Sequence, residues 1–298
     1  MLDVVIDQRR HRVGRLEVGR LLPLTPTRAI GPFVFFDHLG PITFQRGLPR
    51  DVDARPHPHI GLSALTYLFA GQIVHRDSVG SQQTIQPGEV NWLTAGKGVT
   101  HSERFEKARA EGGPLHGFHS WVALPNEQEE IEPSFAHFGR HELAEHEYGG
   151  WWNRLLAGEA FGVKGHPEIH SPLFLAHWAL TAGTSAQLPA NYPERAAYIV
   201  SGVVEAGGRR FSSGQMLVFK PRTPAVITAS TLATIIIFGG EPVGPRFVDW
   251  NFVSSSRARI EQAKADWRAG RMRLPDFDNE DPLALPLELR SAASRALP

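Results

Sequence analysis

Short runs of β-branched and aromatic residues, each bounded by Gly, Pro or Asn, recur along the whole chain. Runs of this length with such boundaries are typical of the strands of an all-β sandwich or barrel. The pattern predicts strands over residues 33–36, 64–69, 89–93, 117–124, 173–180, 197–200, 215–219, 225–228 and 232–238.

One helix is predicted, at about residues 254–270. A run of three serines offers a capping hydroxyl, and Ile260, Ala263 and Trp267 recur at helical spacing. Gly270 can end the helix. Because several prolines follow, we expect an extended tail after it.

A strand that ends in glycine, followed by a second glycine turn, occurs twice in the chain. The first copy is residues 65–71 with Gly88, and the second is residues 196–202 with Gly214. Both copies suggest strand, tight turn, return strands and a further tight turn. The sequence therefore predicts two related antiparallel barrels.

The predicted domains are residues 1–140 and residues 141–298, and the second includes the helix and the Pro-containing tail. A length of 298 residues leaves room for two domains of about 150 residues each. The 29 Gly and 23 Pro are too many for a helical bundle and suit the many turns of a β protein.

Composition and charge exclude several classes of function. The chain has no Cys, so a thiolate metal site, an iron–sulfur cluster and a cysteine nucleophile are excluded. The 31 Lys+Arg balance the 31 Asp+Glu, which argues against direct nucleic-acid binding. No apolar run is long enough for a membrane span or a secretory signal, so we expect a cytoplasmic protein. We also expect a monomer.

Two pairs of ionisable residues carry the candidate chemistry. His57 and His59 are two apart between prolines that keep the backbone extended, and His101 and Glu103 follow a glycine turn at the same spacing. Residues two apart project from the same face of a strand. Two adjacent strands could therefore direct three imidazoles and one carboxylate to a common point.

A single His-x-His is most often an exposed or hydrogen-bonded pair, and the second pair changes this interpretation. Both pairs lie beside apolar strands, so one sheet face would bury four ionisable groups together. Such burial is costly unless a cation binds the carboxylate and the imidazole lone pairs. A metal site is the simplest hypothesis.

The arrangement His-x-His, glycine-ended strand, Pro-Gly and Ala-Gly-x-Gly-x-x-His resembles the two motifs of the cupin superfamily. More narrowly, five segments resemble the pirin family, most strongly between Gly31 and Trp121. They are GPFVFFDHLGP at 31–41, RPHPHIGL at 55–62, HRDS at 75–78 with Gly80, WLTAGKGVTHSE at 92–103 and WNFVSSS at 250–256.

The resemblance implies two antiparallel cupin barrels (double-stranded β-helix, jelly-roll-like) packed together, with a C-terminal helix. It also implies a metal held by His57, His59, His101 and Glu103. A typical cupin has a glutamate shortly after its His-x-His; residues 60–64 contain no acid here, and Glu103 replaces it as in pirins. The matching positions of the second barrel lack ligand residues, which predicts that this barrel binds no metal; they are Leu188, Ala190, Ile227 and Ala229.

The resemblance also implies a metal and a reaction. The ligand set suits Fe, Mn, Co, Ni, Cu and Zn, and the family favours Fe(II). A dioxygenase that cleaves a flavonol such as quercetin at the 2,3 position, with loss of carbon monoxide and Glu103 as general base, is the favoured function. The alternatives are a non-enzymatic Fe-binding regulator that acts through a protein partner, and another cupin reaction on a small hydroxy or dicarboxylic acid.

Several neighbouring residues have open roles. Asp37 and His38 could orient the ligand imidazoles, but a turn at Asp37 is favoured. His75 and Asp77 could reach the site, but an exposed polar pair is favoured. Four aromatic residues could form the walls of a flat pocket or fill ordinary core positions: Phe36, Trp92, Phe118 and Trp121. His116 and His119 lie on opposite faces of one strand, so at most one of them faces inward.

Overall fold

The fold consists almost entirely of β-strands, in a computed structural model that describes residues 1–23 and 29–286 and the backbone of residues 295–297. The predicted all-β class with one C-terminal helix is confirmed. The strands are β1 Leu2–Asp7, β2 Arg9–Val13, β3 Leu16–Leu22, β4 Phe33–Phe44, β5 Ala54–His59, β6 Leu62–Ala70, β7 Ile73–Asp77, β8 Gln82–Ile85, β9 Val90–Thr94, β10 Val99–Arg104, β11 Gly113–Ala123, β12 Ser134–Phe138, β13 Glu145–Tyr148, β14 Trp151–Ala160, β15 Val163–Lys164, β16 Leu173–Leu180, β17 Ser185–Gln187, β18 Glu194–Ser201, β19 Val203–Ala206, β20 Arg209–Ser212, β21 Gln215–Phe219, β22 Val226–Ala229, β23 Ala233–Gly240, β24 Arg246–Asp249, β25 Phe252–Ser254 and β26 Arg295–Leu297.

The helices are short. They are α1 Glu106–Glu111 and α2 Arg257–Arg268, with single 3₁₀ turns at Arg50–Val52 and Asn126–Gln128. The α2 helix begins after Ser256, whose side chain accepts a hydrogen bond from the backbone N–H of Arg259. Neither α-helix of the described chain has the length and hydropathy that a membrane-spanning helix needs.

The chain forms two compact units. The N-terminal unit contains the described residues of Arg10–Arg28, Val34–Arg140 and Gly244–Pro298, and the C-terminal unit contains Met1–Arg9, Ala29–Phe33 and His141–Val243. Each unit contains a larger and a smaller sheet, and the N-terminal unit also contains a three-stranded sheet of order β25-β24-β26.

In the N-terminal unit, the smaller sheet has the order β5-β10-β7-β8 and the larger sheet has the order β12-β9-β6-β11-β4-β3-β2. Apolar side chains from both sheets form one buried cluster, which includes Leu39 and Leu68 of the larger sheet and Ile73 and Ile85 of the smaller sheet. The two sheets therefore face each other across a shared core.

In the C-terminal unit, β1-β21-β18-β23-β16-β14-β13 form the larger sheet, with β15 beside β14, and β17-β22-β19-β20 form the smaller one. Three of the positions that match metal ligands of the first barrel, Leu188, Ile227 and Ala229, are buried in the hydrophobic core of this unit. Ala190, the fourth, is exposed. All four positions that match the metal ligands of the first barrel thus carry apolar side chains.

The structure differs from the predicted division of the chain in three segments, which are Met1–Arg9, Ala29–Phe33 and Gly244–Pro298. The division placed the helix and the tail with residues 141–298, whereas α2 groups with the N-terminal unit because Ile260, Ala263 and Trp267 pack into one cluster with Ile60 and Phe252. The N-terminal strand β1 was placed with residues 1–140, and it instead pairs with β21 of the C-terminal unit.

Candidate metal centre

The two predicted residue pairs lie on neighbouring strands of the smaller sheet. β5 carries His57 and His59, and β10 carries His101 and Glu103. β5 and β10 are antiparallel, with His101 directly opposite His57, and a register shift follows between His101 and Glu103. The two strands are therefore adjacent, which is the arrangement that the hypothesis of a common metal site requires.

The three histidines form one buried cluster. One ligand nitrogen from each of His57, His59 and His101 lies within 4.8 Å of the others. The exposed fractions of these residues are 9%, 0% and 2%, respectively. Among the described residues, this is the only group of three or more His, Cys, Asp or Glu close enough to hold a metal ion.

Backbone carbonyls fix the tautomers of two of these histidines. His57 Nδ1 lies 2.8 Å from the carbonyl oxygen of Arg55, and His59 Nδ1 lies 2.9 Å from that of Asn251. A carbonyl oxygen only accepts, so each Nδ1 carries the proton and donates it. The Nε2 atom of each neutral ring therefore has a lone pair.

A carboxylate fixes the tautomer of the third histidine through an intervening ring. Asp77 Oδ2 lies 2.8 Å from His75 Nε2, so His75 is protonated there and its Nδ1 has a lone pair. His101 Nδ1 lies 3.4 Å from this His75 Nδ1 and donates to it. His101 Nε2 consequently has a lone pair as well.

Two of these Nε2 lone pairs face each other, and a ring nitrogen of His57 lies within 4.8 Å of the other two histidines. His59 Nε2 and His101 Nε2 are 3.0 Å apart, and facing lone pairs at this separation repel each other unless a proton or a cation lies between them. Burial lowers the pKa of His57, His59 and His101, so neutral imidazoles are favoured over imidazolium ions. The donor set and its ring orientation suit a divalent metal ion.

Glu103 lies beside this cluster but does not share its tight geometry. Burial lowers the pKa of His57. The hydrogen bond with the Arg55 carbonyl and, to a smaller extent, the negative charge of Glu103 act in the opposite direction, so Glu103 lies close to His57. Its Oε1 accepts a 2.9 Å hydrogen bond from Thr66 Oγ1 on β6 of the opposite sheet. Its role as a fourth ligand stays a prediction.

His75 and Asp77 were expected to be an exposed pair, and this expectation is wrong. They are 2% and 1% exposed, because β7 lies next to β10 and places them against the histidine cluster. The second carboxylate oxygen of Asp77 accepts backbone N–H bonds from Val79 and Ser81 at 3.0 and 2.9 Å. Asp77 is thus fixed in orientation by its own turn.

Asp37 and His38 form hydrogen bonds with residues outside the histidine cluster. Asp37 lies inside β4, not in a turn as favoured, and pairs with Arg20 through two hydrogen bonds of 2.9 and 2.8 Å. His38 Nε2 lies 2.9 Å from His116 Nε2, and burial with the neighbouring His116 lowers the pKa of His38 to about 4.

The candidate aromatic residues take two different positions. Phe36 and Phe118 stack on each other in the interior at 5.0 Å between ring centroids, which is an ordinary core arrangement. The Trp121 ring lies nearly perpendicular to the His59 ring, with 5.2 Å between the centroids, and stacks on Phe35 with 4.0 Å between the centroids. Of these aromatic rings, Trp121 is therefore the one that contacts a histidine of the cluster.

Three contributors to the site were missed from the sequence: the Asn251 carbonyl at His59, Thr66 at Glu103, and His119, whose Nδ1 lies 3.0 Å from Thr66 Oγ1. The pattern offered a signal for His119, since it placed His116 and His119 on opposite faces of one strand. Nothing in the local pattern marked Thr66 or Asn251, which reach the site from other elements.

Comparisons with known proteins agree with this geometry. Residues 15–122 match the family model described as Pirin, and residues 175–273 match the Pirin C-terminal cupin domain. A "Pirin-like protein" of Caulobacter vibrioides is 58% identical over 287 residues, covering 96% of this chain and 100% of that protein.

Two further relatives carry the name of an enzyme. A Pseudomonas aeruginosa protein named "putative quercetin 2,3-dioxygenase" is 34% identical over 268 residues, covering 89% of this chain and 83% of that one. The crystal structure of a quercetin 2,3-dioxygenase from Acinetobacter baumannii superposes with a TM-score of 0.88 at 29% identity, covering 98% and 97% of the two chains.

Two antiparallel β units, one of which holds a buried histidine cluster between its sheets, define a protein with two cupin-type domains. Within that class, the matches to both family models and to the Caulobacter protein are decisive. The chain belongs to the pirin family.

Proposed function

We propose that this protein is a metal-dependent dioxygenase that cleaves a flavonol such as quercetin at the 2,3 position with loss of carbon monoxide. The observation that carries the proposal is a buried cluster of three histidines next to a carboxylate, in which the Nε2 atoms of His59 and His101 face each other at 3.0 Å. The names of the Pseudomonas and Acinetobacter relatives support the choice of substrate class.

His57, His59, His101 and Glu103 hold the metal in this proposal, and Fe(II) is the proposed native ion. Imidazole and carboxylate ligands also accept Mn, Co, Ni, Cu or Zn. When bound, the ion supplies a Lewis acid that lowers the pKa of a coordinated hydroxyl group and a centre that reacts with dioxygen.

The side chains of the chain itself have separate tasks. Glu103 accepts the proton of the flavonol 3-hydroxyl, because it is a carboxylate beside the histidine cluster and the histidine lone pairs are used by the metal. Trp121, at the edge of His59, provides an apolar face for a flat aromatic substrate. The surrounding buried strands exclude water from the reacting groups.

The test is anaerobic purification with metal analysis, reconstitution with Fe(II), and measurement of oxygen uptake and carbon monoxide release with quercetin. One carbon monoxide for each dioxygen consumed is expected, and the Glu103→Gln variant should lose turnover while remaining folded. Full loading with Fe(II) and no oxygen uptake would contradict the dioxygenase. It would favour a non-enzymatic Fe-binding regulator that acts through a protein partner.

A further inference from the structure

A chain of three hydrogen bonds ends on Glu103. Trp121 Nε1 donates to His119 Nε2 at 2.9 Å, His119 Nδ1 lies 3.0 Å from Thr66 Oγ1, and Thr66 Oγ1 donates to Glu103 Oε1 at 2.9 Å. Thr66 lies on β6 and faces His119 on the neighbouring strand β11, whereas Glu103 lies on β10 of the opposite sheet. The chain of hydrogen bonds thus crosses the interior between the two sheets of the N-terminal unit.

The chemistry of the donors fixes the direction of each hydrogen bond in this series. An indole N–H can only donate, so His119 Nε2 accepts and holds no proton of its own. The neutral His119 ring therefore carries its proton on Nδ1 and donates it to Thr66 Oγ1. The hydroxyl proton of Thr66 is then directed to Glu103, whose carboxylate oxygen accepts it.

Two of the four side chains in this series of hydrogen bonds, Thr66 and Trp121, are buried away from water, and His119 and Glu103 are half-buried. Thr66 is 4% exposed and Trp121 is 5% exposed. A buried polar group that loses its partner cannot recover the bond from solvent, so Thr66 and Trp121 strongly favour these hydrogen bonds. His119 also lies near the metal-site histidines, since it contributes to the lowered pKa of His57, His59 and His101 after burial and other causes.

We propose that Thr66, His119 and Trp121 are positioning residues for Glu103. They hold the carboxylate by its Oε1 atom as a hydrogen-bond acceptor and leave Oε2 to bind the metal or to accept the substrate proton. The inference rests on the proposed function, because it assigns Glu103 to the metal centre. It adds the residues that orient this carboxylate from the opposite sheet.

The first measurement reads the tautomer of His119 in the metal-free, full-length protein. With ¹⁵N-labelled histidine, long-range ¹H–¹⁵N correlation spectra should show the Nδ1–H form of His119. Trp121→Phe removes the donor to Nε2, so a mixture of both tautomers is expected. A wild-type His119 protonated on Nε2, or on both nitrogens, would overturn the proposal.

The second measurement is Zn(II) affinity, determined by competition with a chromophoric chelator. Thr66→Val removes the hydroxyl at nearly constant volume and should weaken Zn(II) binding about 10-fold or more, as other residues that orient metal ligands do. Thr66→Ser keeps the hydroxyl and should restore the affinity to within about twofold of the wild type, following the same principle.

Ser63→Ala is the matched control. Ser63 lies on the same strand, is buried, and its hydroxyl bonds to Thr94 Oγ1 at 3.0 Å instead of to Glu103. It should bind Zn(II) as the wild type does. Equal Zn(II) affinity in Thr66→Val, Ser63→Ala and the wild type would overturn the positioning role.

The two proposals fail separately. The tautomer and the Zn(II) affinity are measured without substrate, so a protein that shows both expected results and no quercetin turnover supports the positioning chain and contradicts the dioxygenase. Quercetin turnover that is unchanged in Thr66→Val, together with unchanged Zn(II) affinity, contradicts the positioning chain and leaves the dioxygenase in place.

Discussion

The carboxylate of Asp77 controls the proton position of a ring that it does not touch. It fixes the His75 tautomer, and His75 in turn fixes that of His101. The other two histidines of the cluster are fixed by backbone carbonyls, which no side-chain substitution removes directly. His101 is therefore the member whose lone pair depends on a replaceable side chain.

Asp77→Asn should reverse this tautomer. The backbone N–H groups of Val79 and Ser81 require an acceptor, so the amide oxygen would face them and the NH₂ group would donate to His75 Nε2. His75 would then donate from Nδ1 to His101, which would carry its proton on Nε2. We expect Zn(II) affinity to fall about 10- to 100-fold, measured by chelator competition.

Asp37→Asn is the control for this substitution. Asp37 is an equally buried carboxylate, but it pairs with Arg20 instead of a histidine. Its loss should lower stability without changing metal affinity. If both variants bind Zn(II) as tightly as the wild type, the tautomer of His101 does not depend on Asp77.

At the scale of elements, the metal-site strands are held from outside by the C-terminal segment. Thr100 and Ser102, which alternate with His101 along β10, donate to the Arg273 carbonyl and to Asp278 at 2.5 and 2.6 Å. The backbone N–H of Leu283 donates to the carbonyl of Pro56 next to His57. The described part of the tail is thus attached to β5 and β10.

Asp278→Asn should show how much this attachment contributes. Hydrogen bonds from Arg104 and Ser102 hold the pKa of Asp278 below its usual value, although burial acts in the opposite direction. Its contribution is therefore complete at pH 7 and is lost as the pH falls below about 4. We expect Asp278→Asn to lower the free energy of unfolding by about 1.5–3 kcal/mol at pH 7, measured by urea unfolding, and by less at acid pH.

Asp276→Asn is the matched control in the same segment. Asp276 pairs with Arg273 at an exposed position, where ion pairs contribute about 0–1 kcal/mol. If the difference in unfolding free energy between the wild type and Asp278→Asn stays constant from pH 7 to acid pH, the charge of the Asp278 carboxylate does not provide this stabilisation.

The turn after β5 brings a second C-terminal element against the site. Gly61 has φ +67, and a Cβ atom there would lie 2.0 Å from the carbonyl oxygen of Val253. The same approach brings the carbonyl of Asn251 to His59. Only glycine allows both the backbone angle and this contact.

Gly61→Ala should therefore destabilise the protein by more than Gly80→Ala, each measured by urea unfolding. Gly80 has φ +99 but open space around its missing Cβ, so it reports the cost of the backbone angle alone, about 1 kcal/mol. Zn(II) affinity should fall only in Gly61→Ala. Equal destabilisation of the two variants would show that β25 moves away at no cost.

At the scale of the whole molecule, the two units share one architecture but differ in chemistry. Within the described residues, the histidine cluster occurs in the N-terminal unit, and apolar side chains fill the corresponding interior of the C-terminal unit. Metal binding should therefore stabilise one unit directly.

Hydrogen exchange measures this difference. At a Zn(II) concentration of about 100 times the dissociation constant, the free energy of opening should rise by about 2.7 kcal/mol for some amides of β5, β7 and β10. These are the amides that exchange only through openings that disrupt the metal site. Amides in β16 and β23 should be unaffected, and His101→Ala should abolish the protection. Equal protection of both units would contradict a metal site confined to the N-terminal unit.

The sequence by itself determined which residues can act together along one strand. Because side chains alternate strictly, the spacing of two placed His57 with His59, and His101 with Glu103, on common faces before any tertiary contact was known. Turn-bounded apolar runs indicated the strands, helical spacing after a serine run indicated the helix, and the matching positions of the second copy indicated the absence of ligands there. Each of these is a local property of the chain.

Only the tertiary structure decided which groups meet across elements. The Asn251 carbonyl at His59, Thr66 at Glu103 and His75 at His101 come from different strands, and their meeting depends on register, on the shift between His101 and Glu103, and on the packing of one sheet against the other. Proton positions follow from these contacts. The sequence therefore determined the candidate ligands, and the tertiary structure determined which nitrogen of each can bind a metal.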